Sequence, residues 1–364
     1  MDVYIYRTDE GEYLRLLGVT DRIARYDIER LLCGGDRLEA VFVTNSRDAG
    51  LIKPDRLIEI PGIFSGLITG IKRADGGRTE VSAVSFAGLL SRRILVSYEN
   101  GDSFMDIVEK NCGAPAGEVR AFPNTVIDKT ADLIYKPSVA DKNRVFSYAV
   151  NSAAEKGFRV CSDIIHDDGG AKIRLYGRYT QDRSIGSGNL PVILSSEYDT
   201  LGRKTYSYSE KGTVNGAYIY SDAKYSGSGS VVCEAWSGYY GDAVGFGRCE
   251  ESYKIEPVLY RSYSIIDGDI IYKASLDLTA TKEAAADLFA SRYSPPSEVI
   301  TAPLGKRFID LIRSKLFDVG DRVTLYPDED GENSARRIMK MTEHYENGGF
   351  TMSVWLDMIK KEGE

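Results

Sequence analysis

Residues 13 to 85 read as one short β-strand after another, and no other feature of the chain constrains its fold as strongly. Residues 13–19, 38–43, 56–60, 64–73 and 79–85 are strand-like, and the last run alternates apolar and polar residues with near period two. Asp75-Gly76-Gly77 supplies a hairpin turn, because glycine accepts the positive φ that such turns require. Five or six short strands with tight turns and little helix predict a small closed or partly closed antiparallel barrel over residues 1–97. The segment from Phe86 to Arg93 is expected to end it.

The character changes over residues 98–190, which read as an α+β module. Asp102-Ser103 can N-cap a helix through Met105, Ile107 and Val108, stopped by Gly113. A second helix is predicted from Arg144 to Lys156, with Gly157 as its stop and Val145, Tyr148, Ala149 and Ser152 at helical spacing. Two strands, 159–162 and 171–176, then join across Asp167-Asp168-Gly169-Gly170. Residues 191–281 are β-rich again, with strands expected at 203–209, 214–221, 231–236, 253–266 and 270–278, and Tyr218 and Tyr220 on one face. The link Ser226-Gly227-Ser228-Gly229-Ser230 reads as a mobile loop. Residues 282–364 hold a helix over 282–293, stopped by Pro295-Pro296. Strands at 319–326, 336–345 and 350–356 follow, the last two joined by Asn347-Gly348-Gly349, and they complete a second barrel-like region. The fold class is therefore mainly β with α+β insertions: two small antiparallel barrel-like domains around α+β modules.

Composition narrows the function. Among 364 residues the formal charge is −8, which argues against a protein built to grip phosphate backbones. The 24 tyrosines and 36 glycines, beside 12 phenylalanines, fit half-buried strands, interfaces and turns. The start, Met1-Asp2-Val3-Tyr4-Ile5-Tyr6-Arg7, lacks the basic and apolar regions of a signal peptide, so synthesis in the cytoplasm is expected. No window approaches the ~20 apolar residues that cross a bilayer. The five cysteines form no CxxC pair, so reduced thiols are expected rather than a zinc site.

The usual chemistries find little support. Only two histidines exist. His344 lies in an alternating strand, and no G-x-S-x-G elbow occurs. His166 is flanked by Asp163, Asp167 and Asp168, a set that could bind a cation, yet Asp-Asp-Gly-Gly is also ordinary hairpin chemistry. Gly305-Lys306 is followed by Arg307 and lacks Walker spacing, and Gly245-Phe246-Gly247-Arg248 lacks the third glycine of a dinucleotide fingerprint. Glu250-Glu251 would point to opposite faces of a strand. The basic doublets Arg92-Arg93, Lys306-Arg307 and Arg336-Arg337 are far apart and diluted by acid. No catalytic, cofactor-binding or metal-binding residue is assigned, and no cofactor is expected.

The order of segments nonetheless resembles a known class, the siphovirus and prophage tail proteins of the baseplate hub type, similar to the hubs of contractile phage tails and the base of VgrG spikes. The likeness runs from Leu51-Ile52-Lys53-Pro54-Asp55-Arg56-Leu57-Ile58-Glu59-Ile60 through Phe64 to Ile71 and Val81 to Ile94. It continues at Ala154 to Val160, Leu175 to Arg183, Gly245 to Glu251 and the terminal stretch from Val319 to Trp355. The resemblance implies two related barrel-like domains per chain and a trimer whose six barrels ring a tail tube. It also implies tail tube, distal tail and tape-measure proteins as neighbours, and a lumen through which DNA or cargo passes. Some relatives carry a C-terminal hydrolase or receptor-binding extension; the sequence ends at Glu364 without one, so a structural role and not an enzyme is expected. A cell-wall hydrolase working through paired carboxylates, and a carbohydrate-binding module using the tyrosines between Tyr206 and Tyr240, are the alternatives.

Overall fold

The computed structural model describes residues 1–8, 11–74, 76–95, 99, 101–116, 121–134, 146–209, 213–222, 224–225, 231–233, 235–241, 250–266, 269–292, 297–305, 308–309, 317–326 and 333–358. They divide into two units, residues 1–206 with 299–364, and residues 207–298.

Unit 1 opens with β1 (Val3–Arg7), β2 (Arg15–Thr20), β3 (Ile23–Leu31), β4 (Arg37–Val43), α1 (Ser46–Leu51), β5 (Leu57–Ile60), β6 (Phe64–Ala74), β7 (Arg78–Ser85) and α2 (Phe86–Leu89). It continues with α3 (Phe104–Cys112), β8 (Thr125–Asp128), α4 (Ser147–Glu155), β9 (Phe158–Asp167), β10 (Gly170–Tyr179), β11 (Asp182–Arg183) and β12 (Ile193–Ser195), and β13 (Thr205–Ser209) spans its boundary. Unit 2 holds β14 (Gly216–Ser221), β15 (Lys224–Tyr225), β16 (Val231–Cys233), β17 (Trp236–Gly241), β18 (Glu250–Lys254), β19 (Leu259–Ile266), β20 (Asp269–Leu276) and α5 (Leu278–Arg292). The chain then returns to unit 1 as β21 (Ser297–Pro303), β22 (Arg322–Tyr326), β23 (Ser334–Glu346) and β24 (Gly349–Met358).

The mainly-β expectation is borne out, but closure is not: among the described residues no sheet closes on itself. The main sheet of unit 1 runs β21-β24-β23-β3-β4-β7-β6-β5-β1-β2, with β22 on β23 and β11 and β12 on β22. The physical reason lies in β3. One edge of it pairs with β4 and the other with β23, so no edge is left to receive β2. Strands from the two ends of the sequence thus share one sheet, and β2 remains an edge strand with Leu16 50% and Val19 44% exposed.

Within this sheet β5 is buried on both faces, whereas β4 and β7 alternate buried residues with more exposed ones. In β1, Val3 and Ile5 enter one core with Ile58, Tyr26 and Phe42, while Tyr6 enters a second with Leu57, Phe104 and Leu175. The second core is roofed by α3, α4 and the β9–β10 hairpin. Ser103 caps α3 through a capping box with Asp106, as the Asp102-Ser103 signal predicts. Gly157, at φ +74°, follows α4, and Arg144 lies outside the described residues. A third core joins Leu194, Ile300, Phe317, Val323, Ile338, Val354 and Leu356 beneath β22–β24. The β23–β24 turn is a two-residue loop, with Asn347 at φ +52° and Gly348 at φ +79°, the left-handed pair of a type I′ hairpin.

In unit 2 the sheet β17-β14-β18 packs Ala217, Ile219, Trp236 and Tyr240 against Ala285, Leu288 and Phe289 of α5. The helix begins four residues before the expected start because Asp277 caps it, its Oδ1 accepting from the Ala280 N–H at 3.0 Å. The strand expected over 253–266 is split around Pro257, which has no N–H to give a ladder. The Ser226–Ser230 link and Pro295-Pro296 lie outside the described residues.

Candidate functional site

A cleft of about 540 Å³ lies in unit 1 between the main sheet, the β9–β10 hairpin and the turn that precedes β22. Strand alternation delivers charge to it. Leu57 and Glu59 share one face of β5, so the Glu59 carboxylate reaches the side of the sheet that β9 covers. The same period sets Arg174 and Arg178 on one face of β10.

A buried ion network runs through the cleft. Arg159, 5% exposed on β9, pairs with Asp36 in the β3–β4 turn and lies 3.4 Å from Asp318. Its direct cross-strand partner, Arg178, donates to Asp318 at 2.6 Å and to Asp321 at 3.2 Å. Two like charges opposite each other would repel, and the shared Asp318 carboxylate offsets this. Burial pushes the Asp318 carboxyl up, but Arg159, Arg178 and Arg30 outweigh it and hold the group below the usual range. Asp321 is fully buried and shifted up by that burial, although the Gln181 N–H donates to it at 2.8 Å.

Two buried glutamates line the same cleft. Tyr6 donates to Glu59 Oε2 at 2.8 Å, and His166 Nε2 lies 3.2 Å from both Glu59 oxygens. Burial, followed by Glu59, raises the Tyr6 phenol well above its ordinary value, so it remains a donor. Tyr26 donates to Glu343 Oε1 at 2.8 Å, and Arg30 sits 3.4 Å from Oε2. Cys161 also faces the cleft; burial pushes its thiol up to about 11, so it stays protonated at neutral pH and is a poor nucleophile. The network joins segments far apart in sequence, and its cations face carboxylates.

The residues weighed from sequence fall as follows. His166 reaches Glu59, whereas Asp163 grips Arg174 through both oxygens at 3.0 and 2.6 Å. Asp167 accepts from the Gly169 and Gly170 N–H groups at 2.9 and 3.0 Å, the hairpin chemistry of the alternative reading. Among the described residues no such cluster is placed to hold a metal ion. His344 Nδ1 meets Asp27 Oδ1 at 2.6 Å across the β3–β23 pair. Glu250 and Glu251 are both exposed on β18, an edge strand. Arg93 stacks 4.8 Å over the Phe122 ring, and Arg336 is buried, its Nε donating to Ser334 at 3.1 Å. Gly305 is a packing glycine, since a Cβ there would meet the Asp199 carbonyl oxygen at 1.8 Å. Lys306-Arg307 and Gly245 to Arg248 lie outside the described residues. The Glu59–His166 and Arg159–Asp318 contacts were missed, because no local spacing signals a pair more than a hundred residues apart.

Several solved structures match over nearly the whole chain, two tail proteins among them. The prophage MuSo2 43 kDa tail protein from Shewanella oneidensis aligns with a TM-score of 0.53 at 12% identity, covering 98% of each chain. The tail protein from Neisseria meningitidis MC58 aligns at 0.50 and 14% identity, covering 98% of this chain and 95% of that one. The fold is that of phage tail proteins. The resemblance read from the order of segments is borne out at that level, although no family model and no curated protein matches the sequence. Among the described residues no helix is long and apolar enough to cross a membrane.

Proposed function

We propose that this chain is a structural component of a phage or prophage tail, a hub-like subunit that joins the tail tube to the distal tip. Three copies form a ring, adjoining tube, distal tail and tape-measure proteins, and DNA or cargo passes through the lumen without specific binding. The protein acts through shape and subunit contacts, is not an enzyme, and resides in the virion tail. The observation that carries this reading is the full-length fold likeness to tail proteins, joined to an open sheet whose edge strand β2 exposes Leu16 and Val19. Open edges are sites where chains pair, and ring assembly removes them.

Light scattering over a range of concentrations tests it: a trimer, alone or on a tube partner, is expected, and a monomer with catalytic turnover overturns it. The hydrolase alternative expects peptidoglycan clearing that is lost on substituting a pair of acidic residues in one cleft, such as Glu59 and Glu343. A receptor- or carbohydrate-binding role is favoured by one observation in unit 2. There Tyr218 and Tyr220 are exposed on the same face of β14, with the Tyr239 ring 5.0 Å from Tyr218. Glycan binding by the isolated chain would select that reading.

A further inference from the structure

A second recess in unit 1, of about 330 Å³, lies where the end of α4, the β10–β11 link and the β22–β23 pair meet. Its charge is unlike that of the large cleft. Arg322 and Arg337 are direct cross-strand partners, so two guanidinium groups stand side by side where opposite charges would be favourable. Lys156 also lines the recess, and the carboxylates there are Glu155 and Asp182. The lining thus holds three cations and two carboxylates, with Asp357 beside Arg337 in β24 as a third carboxylate.

The two arginines are incompletely satisfied. Arg322 Nη1 is 3.8 Å from Asp182 Oδ2, a long ion pair, while the Ser184 N–H and hydroxyl donate to Asp182 Oδ1. Arg337 is half-buried, and its Nε is buried with no hydrogen-bond acceptor among the described residues. On its other side the cross-strand neighbour is Asp357, which offers some compensation. Burial and then Arg322 nevertheless depress the Arg337 pKa. A buried donor without a partner is costly, and two adjacent guanidinium groups compound the cost. An anion in the recess relieves the repulsion between the two guanidinium groups.

We propose that this recess is an oxyanion site, in which a phosphate or carboxylate group settles against the Arg322 and Arg337 guanidinium groups with Lys156 adding charge. Planar guanidinium forks match two-oxygen anions, and lysine contributes as a point charge. The proposal does not depend on the tail role.

Thermal unfolding of the full chain in inorganic phosphate, and separately in acetate, against chloride at equal ionic strength and pH, tests it. A rise in Tm that follows RT ln(1 + [L]/Kd) with phosphate, acetate or both is expected, and the stronger effect identifies the phosphoryl or carboxylate class. R337Q and R322Q should each raise the fitted Kd roughly tenfold or more. Arg322 is 39% exposed, so R322Q carries the test if R337Q fails to fold. Absence of a concentration-dependent shift over chloride in the natural protein, or a shift unchanged in both variants, overturns the proposal.

Discussion

The Tyr26 hydroxyl donates to Glu343 Oε1 at 2.8 Å, across 317 positions of sequence. Tyr26 lies on β3 and Glu343 on β23, the two strands whose pairing joins the start and the end of the chain in one sheet. Both side chains are buried, so the bond is shielded from water and its loss leaves a carboxylate short of a donor. Tyr26→Phe keeps the ring, its stack on Tyr345 at 5.2 Å and its place in the core. A loss of about 0.5–1.5 kcal/mol is expected, the range for one hydrogen bond, because Arg30 still faces Glu343. Chemical denaturation of both proteins measures it, and an unchanged midpoint would show that Glu343 does not need Tyr26.

Asp318 should matter more, because it serves two arginines. Asp318→Asn leaves Arg159 and Arg178 facing each other across β9–β10 without the shared carboxylate. Breaking a fully buried ion pair costs ~3–5 kcal/mol. Asp318 is 24% exposed, so about 2–3 kcal/mol is the expected loss after solvent screening. The double variant with Arg178→Gln should recover part of it. A cycle of these variants followed by denaturant unfolding measures the coupling, and strict additivity would contradict the shared-carboxylate account.

The Asp106 capping box gives an acid dependence with a definite sign. Hydrogen bonds from Lys129 and Ser103 hold the Asp106 carboxyl at about 2. Its folded pKa is thus below the unfolded value of about 3.9, so its contribution is present above that value and lost as pH falls towards about 2. Asp27 and Asp128 are lowered too and act in the same direction. Asp106→Asn keeps an acceptor but does not titrate. The stability difference between natural and variant proteins should therefore shrink between roughly pH 5 and 2. A difference that stays constant over that range would remove the titration of Asp106 as its cause.

Gly305 is required by packing and not by a ligand. Gly305→Ala would press a methyl group into the Asp199 carbonyl, with a contact of 1.8 Å that only backbone movement can relieve. About 1–3 kcal/mol or more is the expected cost. Gly11→Ala is the matched control, having nothing within 4 Å of the added Cβ, and should be near neutral. Equal melting temperatures for the two variants would refute the distinction.

The β2 edge carries the assembly prediction. Leu16→Lys with Val19→Lys places two charges on exposed positions of an edge strand, a device that blocks strand pairing between chains. The monomer should keep its melting temperature within about 0.5 kcal/mol of stability. The oligomer should be lost in light scattering. A variant that assembles like the natural protein would place the ring contact elsewhere.

Local physics made much of this chain legible before any coordinates. Short strand-like runs, the last of them alternating, located β4, β5, β6 and β7 to within a residue or so, Ser103 announced its capping box, and Asn347-Gly348 announced the β23–β24 hairpin. Each of these rests on neighbours within a few positions, where backbone sterics and hydrogen bonding to the next turn decide the outcome. Asp277 was legible in principle as a cap and went unread, and Pro257 likewise marked a break inside an expected strand.

Tertiary structure alone decided the rest. Alternation says that a strand has two edges and two faces, but not which distant segment will occupy them. The pairing of β3 with β23, which leaves the sheet open, follows from competition among all edges for the same backbone hydrogen bonds. Glu59 meets His166, and Arg159 meets Asp318, only once that sheet and the β9–β10 hairpin are packed together. Buried charges select partners by proximity in space, and a sequence records no such distance.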